Sequence, residues 1–228
     1  MCGRYTLHHS TKAIVRRFGV DQVEIDVSAR YNIAPTQPIA VITENSPRTL
    51  QAMKWGLIPS WAKDPAIGNK LINARAETLA EKPSFRTALV RRRCLIPGDG
   101  FYEWQKVGNG KQPMRIHRKD DDLFAFAGLW DEWHTPDGSP LHTCTIITVG
   151  PNALMAPIHD RMPAILRPED EAAWLDRSLM RVPDLLALLA PYPVDDLEAY
   201  AVSRSVNAPT SDSPDCIAPL ESLFERQV

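Results

Sequence analysis

The chain begins with Met1-Cys2-Gly3-Arg4, residue types that could carry out covalent chemistry on an aldehyde. Removal of Met1 would leave Cys2 with a free α-amine beside its thiol. An aldehyde condenses with such an amine to an imine, and the thiol can then close on the imine carbon to give a thiazolidine. The α-amine has a pKa of about 7.7–8.0, against about 10.4 for lysine, so a useful fraction is neutral near pH 7. Gly3 permits close backbone approach, and Arg4 could place an anion beside the nucleophile.

A cysteine at position two also occurs by chance, so its partners must come from elsewhere in the chain. Glu103 follows aromatic residues in a strand pattern, and a carboxyl in apolar surroundings has a raised pKa. His159 stands in a polar stretch beside prolines and titrates near neutrality by type. Taken alone, each of these two residues is more readily explained by a structural role.

Two other kinds of site are disfavoured by the sequence. Metal binding is the weaker interpretation, because His8 and His9 are adjacent and adjacent residues on a strand point to opposite faces. A second His or Cys at ligand spacing from His159 is lacking as well. A Ser–His–Asp hydrolase is poorly supported, since the sequence has no G-x-S-x-G motif.

Length and composition limit the class of protein. A chain of 228 residues suits one large domain or two small ones that share a core, and 44% hydrophobic content is ample for that core. The net charge of −2 means that a nucleic-acid partner would need a local basic patch. The four cysteines form no C-x-x-C pair, which disfavours structural zinc and a disulfide scaffold. Because no signal core or membrane-length apolar run is present, we expect a cytoplasmic protein.

The elements that would position these residues are mainly strands. Helical patterns cover residues 10–18, 84–90, 169–175 and 183–189, the first with Ser10 as its cap and Gly19 as its end. Strand patterns cover residues 38–43, 49–57, 94–97, 101–106, 114–117, 124–130, 143–149 and 195–203. Residues 73–78 fit a strand-to-helix junction with Asn73 and Arg75 on one side. Many short strands joined by hairpins predict a curved, mainly antiparallel sheet or partial barrel.

Three further stretches lie outside this pattern. The loop at residues 58–65 contains two prolines and carries Trp61, which either packs back on the body or stacks on bases. Arg91-Arg92-Arg93 is the densest basic cluster, and such a run is usually solvated. The residues beyond Asn207 are rich in Pro, Ser and Asp, which predicts a loose tail over residues 207–228.

Six blocks of the chain, taken together, closely resemble the SRAP family, the SOS response-associated peptidases or abasic-site processing proteins. The match runs in the family's order from the first residue to about Ser205, and the combination is highly specific. The blocks are residues 1–5 (MCGRY), 30–35 (RYNIAP), 55–61 (WGLIPSW), 72–78 (INARAET), 100–104 (GFYEW) and 158–163 (IHDRMP).

The resemblance implies a fold and a substrate. The fold is a single α+β domain, residues 1–228, around a curved, barrel-like, mainly antiparallel β-sheet with peripheral helices. The substrate is an abasic site in single-stranded DNA, whose opened sugar presents an aldehyde. The protein would protect this site during the DNA damage response by a thiazolidine crosslink through Cys2. It would need no cofactor and no metal, act as a monomer, and associate with the nucleoid when bound to DNA.

The resemblance also implies roles for individual residues. Cys2 is the nucleophile, Asn73 positions or polarises at the Cys2 end, and Glu103 and His159 manage protons. Contacts with DNA fall to a second set: Arg4, Arg75 and Arg161 on phosphates, Thr148 as a polar contact, and Trp61 beside the base stack. The chain end shows no sliding-clamp motif, so clamp binding is not expected.

Two other classes of function stay open at this point. One is a cysteine autopeptidase or N-terminal-nucleophile hydrolase that removes Met1, and the other is a noncovalent single-strand binding module. Whether Met1 leaves by self-cleavage or through a methionine aminopeptidase is open as well, because Cys is a small second residue.

Overall fold

A computed structural model describes residues 2–44 and 47–220. The strands within this part of the chain are β1 (Tyr5–Leu7), β2 (Gln22–Val23), β3 (Arg30–Ile33), β4 (Pro38–Glu44), β5 (Arg48–Trp55), β6 (Asn73–Arg75), β7 (Arg93–Gly98), β8 (Gly100–Val107), β9 (Gly110–Arg118), β10 (Phe124–His134), β11 (Pro140–Val149), β12 (Met162–Pro163), β13 (Ile165–Leu166) and β14 (Leu197–Ala201). The α-helices are α1 (Thr11–Phe18), α2 (Arg86–Arg91), α3 (Pro168–Leu175) and α4 (Val182–Ala187).

Strands β4, β5, β7, β10 and β11 close into a barrel. Four of the contacts around this ring are antiparallel: β4 with β5, β4 with β7, β7 with β10, and β10 with β11. The ring is completed by a parallel pairing of β11 with β5, in which Thr143 lies beside Lys54 and Cys144 beside Trp55. Trp55, Phe126 and Ile146 are fully buried in the main core. The prediction of a single α+β domain around a curved, barrel-like, mainly antiparallel sheet is confirmed.

A second sheet carries the start of the chain. Its strands follow the order β14-β9-β8-β1-β3, and all of these neighbours are antiparallel. The corner between β7 and β8 joins this sheet to the barrel at Asp99. Gly100 is required at that corner, because a Cβ there would lie 2.8 Å from Thr6 Oγ1 and 2.9 Å from Arg115 Nε. Strand β1, which follows Cys2, pairs with β8 on one side and with β3 on the other, so it is an interior strand of this sheet.

Helix α1 has the ends that the sequence predicts. The Ser10 hydroxyl accepts a hydrogen bond from the Ala13 backbone N–H at 3.3 Å. Gly19 takes the left-handed conformation with φ 60°, and its N–H reaches the Val15 carbonyl. Ile14 and Phe18 are buried on one face, as their spacing requires.

The basic cluster at the end of α2 is not uniformly solvated. Arg91 is exposed and Arg92 is ion-paired with Asp131, but Arg93 is buried. The Arg93 guanidinium donates to backbone carbonyls at the ends of α2 and α3, which are Leu89, Val90, Trp174, Asp176 and Leu179. Helix C-termini leave such carbonyls without an intrahelical partner, so the solvated interpretation is wrong for Arg93.

Hydrogen bonds anchor the described residues after Asn207, which are residues 208–220, to the rest of the domain. Asn32 Nδ2 donates to the carbonyls of Val206, Ala208 and Ser211 at 3.1, 3.0 and 2.7 Å. The Asp212 carboxylate accepts from the backbone N–H of Asn32 at 3.0 Å and is ion-paired with Arg30. The prediction of a loose tail therefore does not hold for residues 208–220, and residues 221–228 lie outside the described part.

Candidate functional site

Cys2 lies buried just before strand β1. The Arg4 carbonyl, two residues on, accepts the Tyr102 N–H of β8 at 3.0 Å, which fixes the chain beside that strand. Cys2 is fully buried, with Sγ 3.9 Å from the Arg4 carbonyl oxygen. Burial raises the pKa of the Cys2 thiol well above its usual range, and the Glu103 carboxylate raises it further. The thiol is therefore neutral at physiological pH and needs a base to become a nucleophile.

Asn73 holds the backbone of Cys2. Strand β6 runs parallel to β11, with Asn73 opposite Ile146, and the buried Ala74 turns Asn73 and Arg75 to the other side. Asn73 Nδ2 donates to the Cys2 carbonyl at 2.8 Å. Its Oδ1 is buried and has no hydrogen-bond partner among the described residues, so an acceptor stands free next to Cys2.

Glu103 and His159 lie close to each other, and Glu103 is near enough to Cys2 to affect its thiol. Glu103 lies on β8 opposite Met114 and is 2% exposed. Burial raises the pKa of the Glu103 carboxyl, and nearby positive charge, including His159 when it is protonated, opposes this only in part. His159 Nε2 lies 4.0 Å from Glu103 Oε2. A buried carboxyl with a raised pKa thus stands beside an imidazole.

The orientation of His159 is set by its own loop. Its Nδ1 accepts the Arg161 backbone N–H at 3.0 Å, so the neutral ring carries its proton on Nε2, towards Glu103. Asp160 Oδ1 lies 2.9 Å from Nδ1. The side chain is 28% exposed, which leaves one edge open to solvent.

Arg161 is held by two residues. Its guanidinium forms a two-pronged ion pair with Glu77, at 2.6 and 3.0 Å, and donates to the Thr148 carbonyl and hydroxyl at 2.5 and 3.3 Å. Thr148 itself is fully buried. Thr148 therefore presents no exposed surface for a direct contact with DNA in this structure, and its carbonyl and hydroxyl hold the Arg161 guanidinium. Sequence reasoning missed Glu77, although it lies inside the 72–78 block.

Arg4 also has protein partners. Its guanidinium donates to Asn32 Oδ1 at 2.9 Å, to the Val206 carbonyl at 2.6 Å and to the Asn207 carbonyl at 3.1 Å. A phosphate bound by Arg4 would have to share the guanidinium with this network. Asn32, which joins Arg4 to the C-terminal segment, was not singled out from the sequence, and only its place in the 30–35 block marks it.

Trp61 and Arg75 face solvent. Trp61 is 57% exposed, so the interpretation in which it packs back on the body does not hold. Its loop is nevertheless fixed, because the Ser60 N–H donates to Asp131 at 2.9 Å and Trp133 Nε1 donates to the Ala62 carbonyl at 2.8 Å. Arg75 is exposed at the end of β6, two residues from Asn73.

The expectation that His8 and His9 point to opposite faces of a strand is wrong. Strand β1 ends at Leu7, so both histidines lie beyond it, and alternation no longer separates them. Their rings are 4.9 Å apart, and both Nδ1 atoms lie close to Asp99 Oδ2, at 3.0 and 3.1 Å.

The fold and the site together define an α+β protein in which a buried cysteine at position two is held by the Asn73 amide and lies near a buried glutamate and a histidine. A family model described as SOS response associated peptidase (SRAP) matches residues 1–209, and the chain belongs to this family.

Relatives and solved structures agree with this assignment. The chain is 52% identical over 221 residues to abasic site processing protein YoqW of Bacillus subtilis, covering 95% of this chain and 99% of that one. It is 39% identical to abasic site processing protein HMCES of Gallus gallus, over 81% of this chain and 62% of that one. A crystal structure from Bacteroides thetaiotaomicron is 29% identical with a TM-score of 0.88, covering 96% of this chain and 99% of that one. Among residues 2–44 and 47–220, no helix has the length and apolarity to cross a bilayer.

Proposed function

We propose that this protein captures abasic sites in single-stranded DNA as a covalent crosslink through Cys2. The observation that carries the proposal is the meeting of Cys2, Asn73, Glu103 and His159 in one place. The relatives named abasic site processing proteins support the choice of substrate. An abasic sugar in its open form offers the aldehyde that an N-terminal cysteine can trap.

Removal of Met1 must come first. While Met1 is attached, the Cys2 nitrogen belongs to an amide and cannot condense with an aldehyde. Hydrolysis of that peptide bond consumes one water and frees the Cys2 amine. Either the protein's own site or a methionine aminopeptidase could do this. Intact mass of protein made by cell-free translation without aminopeptidase separates these routes, because only self-cleavage would remove Met1 there.

The crosslink then forms in two steps. The Cys2 nitrogen adds to the aldehyde carbon, and the resulting carbinolamine loses its hydroxyl as water to give the imine. The Cys2 sulfur next bonds to the imine carbon, while the thiol proton ends on nitrogen. The product is a thiazolidine, and one water is released overall.

Glu103 suits the proton transfers at the Cys2 end. Its raised pKa allows the carboxyl to take a proton from the amine or the thiol and return one to the departing hydroxyl. The free Asn73 Oδ1 is an acceptor for the amine, while Asn73 Nδ2 keeps the Cys2 carbonyl in place. His159 is 28% exposed, which suits it to assist the opening of the sugar that arrives from solvent.

The exposed residues fit unpaired DNA. Trp61 presents a free aromatic face on a fixed loop, and unpaired bases stack on such faces. Arg75 is an exposed cation two residues from Asn73, and Arg161, pre-oriented by Glu77 and Thr148, is a second candidate for a phosphate.

The test combines mature protein with an oligonucleotide that contains one abasic site. A denaturing gel and intact mass should show a stable adduct equal to protein plus DNA minus one water. Cys2→Ala keeps the amine but lacks the thiol, so its adduct should survive only after borohydride reduction. A full yield of stable, unreduced adduct from Cys2→Ala would rule out the thiazolidine. Binding without any adduct in mature wild-type protein would favour a noncovalent binding module.

A further inference from the structure

The cluster at the far end of β1 is built like a metal site. His8 Nδ1, His9 Nδ1 and an Asp99 carboxylate oxygen lie within 4.8 Å of one another. In a tetrahedral zinc site, with bonds of about 2.0–2.2 Å, ligand atoms stand about 3.3 Å apart. The Nδ1-to-oxygen distances of 3.0 and 3.1 Å are close to that spacing. We propose that His8, His9 and Asp99 bind a divalent transition-metal ion of the zinc, cobalt or nickel type.

A hydrogen bond between His9 and Asp99 satisfies only two of the three side chains in this cluster. His9 Nδ1 forms a hydrogen bond with Asp99 Oδ2 at 3.1 Å. His8 Nδ1 is buried and lies 3.0 Å from the same oxygen, yet it lacks hydrogen-bond geometry among the described residues. Oδ2 already accepts the His8 backbone N–H at 2.5 Å. A metal ion between the three atoms would be bound by the lone pair on His8 Nδ1. A proton shared between His9 and Asp99 leaves that lone pair without a partner among the described residues.

The surroundings of Asp99 hold it as a ligand. The Thr6 hydroxyl donates to its other oxygen, Oδ1, at 2.5 Å, and second contacts of this kind orient metal-binding carboxylates. Burial would raise the pKa of Asp99, but the two imidazoles and Thr6 outweigh it and hold the pKa well below the usual range. The carboxylate is therefore ionised whenever metal could bind.

The charges around the cluster do not exclude a cation, because acidic side chains offset the arginine that faces it. Arg115 lies 3.9 Å from Asp99 Oδ1 and opposes metal binding. Asp121 lies 3.7 Å from Arg115 and offsets it, and Asp122 adds negative charge near His9. Protons compete with a metal ion for the imidazole nitrogens, so binding should weaken as the pH falls.

The site is separate from Cys2 and would act on the fold. At 3.2–3.4 Å per residue, the six positions from Cys2 to His8 span roughly 20 Å of extended chain. His8 and His9 follow β1, whereas Asp99 forms the corner between barrel strand β7 and β8. A bound ion would clamp strand β1 to this corner. The side chains of His8 and His9 are 26% and 25% exposed, so metal can enter from solution and retain a water ligand.

The test uses tag-free protein in a Cys2→Ala background, because an N-terminal cysteine would itself bind these metals. After removal of metal with a chelator, zinc binding is measured by equilibrium dialysis and cobalt binding by visible absorption. One equivalent should bind, with a tetrahedral cobalt spectrum and a zinc-dependent rise in Tm. His8→Ala and His9→Gln should each weaken zinc binding by about 10–100-fold or more. The matched control His142→Ala, whose histidine pairs with Glu132, should change nothing.

His9→Gln also addresses folding, because its amide can still donate to Asp99. A metal-free Tm close to that of the parent will show that the variant is folded. The proposal is overturned if no saturable binding occurs, or if both variants bind as tightly as the parent. It is equally overturned if zinc leaves Tm unchanged while lower pH stabilises the parent, since a proton would then be the occupant. None of these outcomes depends on DNA crosslinking.

Discussion

At the scale of single residues, burial changes the acid–base chemistry of Glu103. It is almost fully buried, and its raised pKa comes from that burial. As a base it must be ionised, so the crosslinking rate should fall as the pH drops through this pKa. The Cys2 amine, with a pKa of about 7.7–8.0, must be neutral to react, so its protonation also lowers the rate as the pH drops.

The pH–rate profile separates these two groups. Below both pKa values, the logarithm of the wild-type rate should fall with a slope approaching about two per pH unit, because two deprotonated groups are needed. Glu103→Gln should keep only the slope of about one that the amine causes, and its rate at neutral pH should be about 10²–10⁴-fold lower. Single-turnover crosslinking from pH 5 to 9 provides the measurement. Identical slopes in the two proteins would remove Glu103 from the proton transfers.

Release of the crosslink provides a second prediction at this scale. By microscopic reversibility, the group that assists ring closure also assists ring opening. A preformed crosslink of Glu103→Gln should therefore pass its labelled DNA to excess competing protein more slowly than wild type. The transfer is followed over hours on a denaturing gel. Wild-type release from the variant would make Glu103 a structural residue.

At the scale of elements, the 158–163 loop and the residues after β6 form one unit through Arg161. Glu77 and Thr148 fix its side chain, while its backbone N–H sets the tautomer of His159. Glu77→Gln should loosen this loop and slow crosslinking by about 10-fold, since small misplacements of catalytic groups have large effects on rate. The pair is exposed on the Glu77 side, so stability should change by only about 0–1 kcal/mol.

The tautomer of His159 is the decisive readout for this prediction. Nitrogen chemical shifts of the imidazole should move away from the Nε2–H pattern in Glu77→Gln and stay unchanged in the control Glu81→Gln. Glu81 is exposed and lies four residues after Glu77 in the segment that follows β6, which makes it a suitable match. A slower variant with an unchanged tautomer would show that Glu77 acts through DNA binding and not through His159.

The Trp61 loop allows a separate test of base stacking. Trp61→Ala should weaken binding to single-stranded DNA by about 1–3 kcal/mol, the usual value for one stacked base. The Tm should stay close to that of wild type, because the side chain is 57% exposed. Met180→Ala, which removes a side chain that is 60% exposed, is the control. Fluorescence anisotropy with unmodified oligonucleotides measures the affinities, and equal affinity in wild type and Trp61→Ala would exclude stacking.

Local sequence patterns predicted the helices and strands better than they predicted which strands pair with one another. The cap, the end and the buried face of α1 follow from Ser10, Gly19 and the spacing of Ile14 and Phe18, since each signal lies within one helix turn. The closure of the barrel by β11 and β5 could not be predicted, because it joins distant strands whose alternation is satisfied by any apolar neighbour. The polar composition of residues 208–220 likewise gave no sign that they are anchored to the domain.

The site shows the same division. The chemistry of Cys2 and the raised pKa of Glu103 were predictable from residue type and aromatic neighbours. Their meeting with His159 lies beyond sequence spacing, and only the resemblance to a family suggested it. The carbonyl partners of Arg4 and the burial of Thr148 depend on tertiary structure and could not be predicted from the sequence. The direct DNA contacts that the resemblance implied for these two residues stay predictions.

At the scale of the whole molecule, charge limits how DNA is held. The net charge is −2, so attraction to DNA must come from a few cations, several of which already have protein partners. Arg75 is exposed and lies two residues along β6 from Asn73, whose amide contacts Cys2, so it is the best candidate for a phosphate contact. We therefore expect modest affinity that falls steeply with salt.

Arg75→Ala tests this balance. A lost phosphate contact should weaken binding to all single-stranded sequences alike and lower the magnitude of the slope of log K against log salt by about 0.7. Lys12→Ala, which removes an exposed cation on α1, should leave the slope unchanged. Binding is measured from 50 to 200 mM salt on unmodified and abasic single strands, and on a duplex with the abasic site in its centre. Because Trp61 needs unpaired bases, the duplex should crosslink poorly; equal crosslinking of the duplex, or an unchanged slope in Arg75→Ala, would contradict this account of DNA binding.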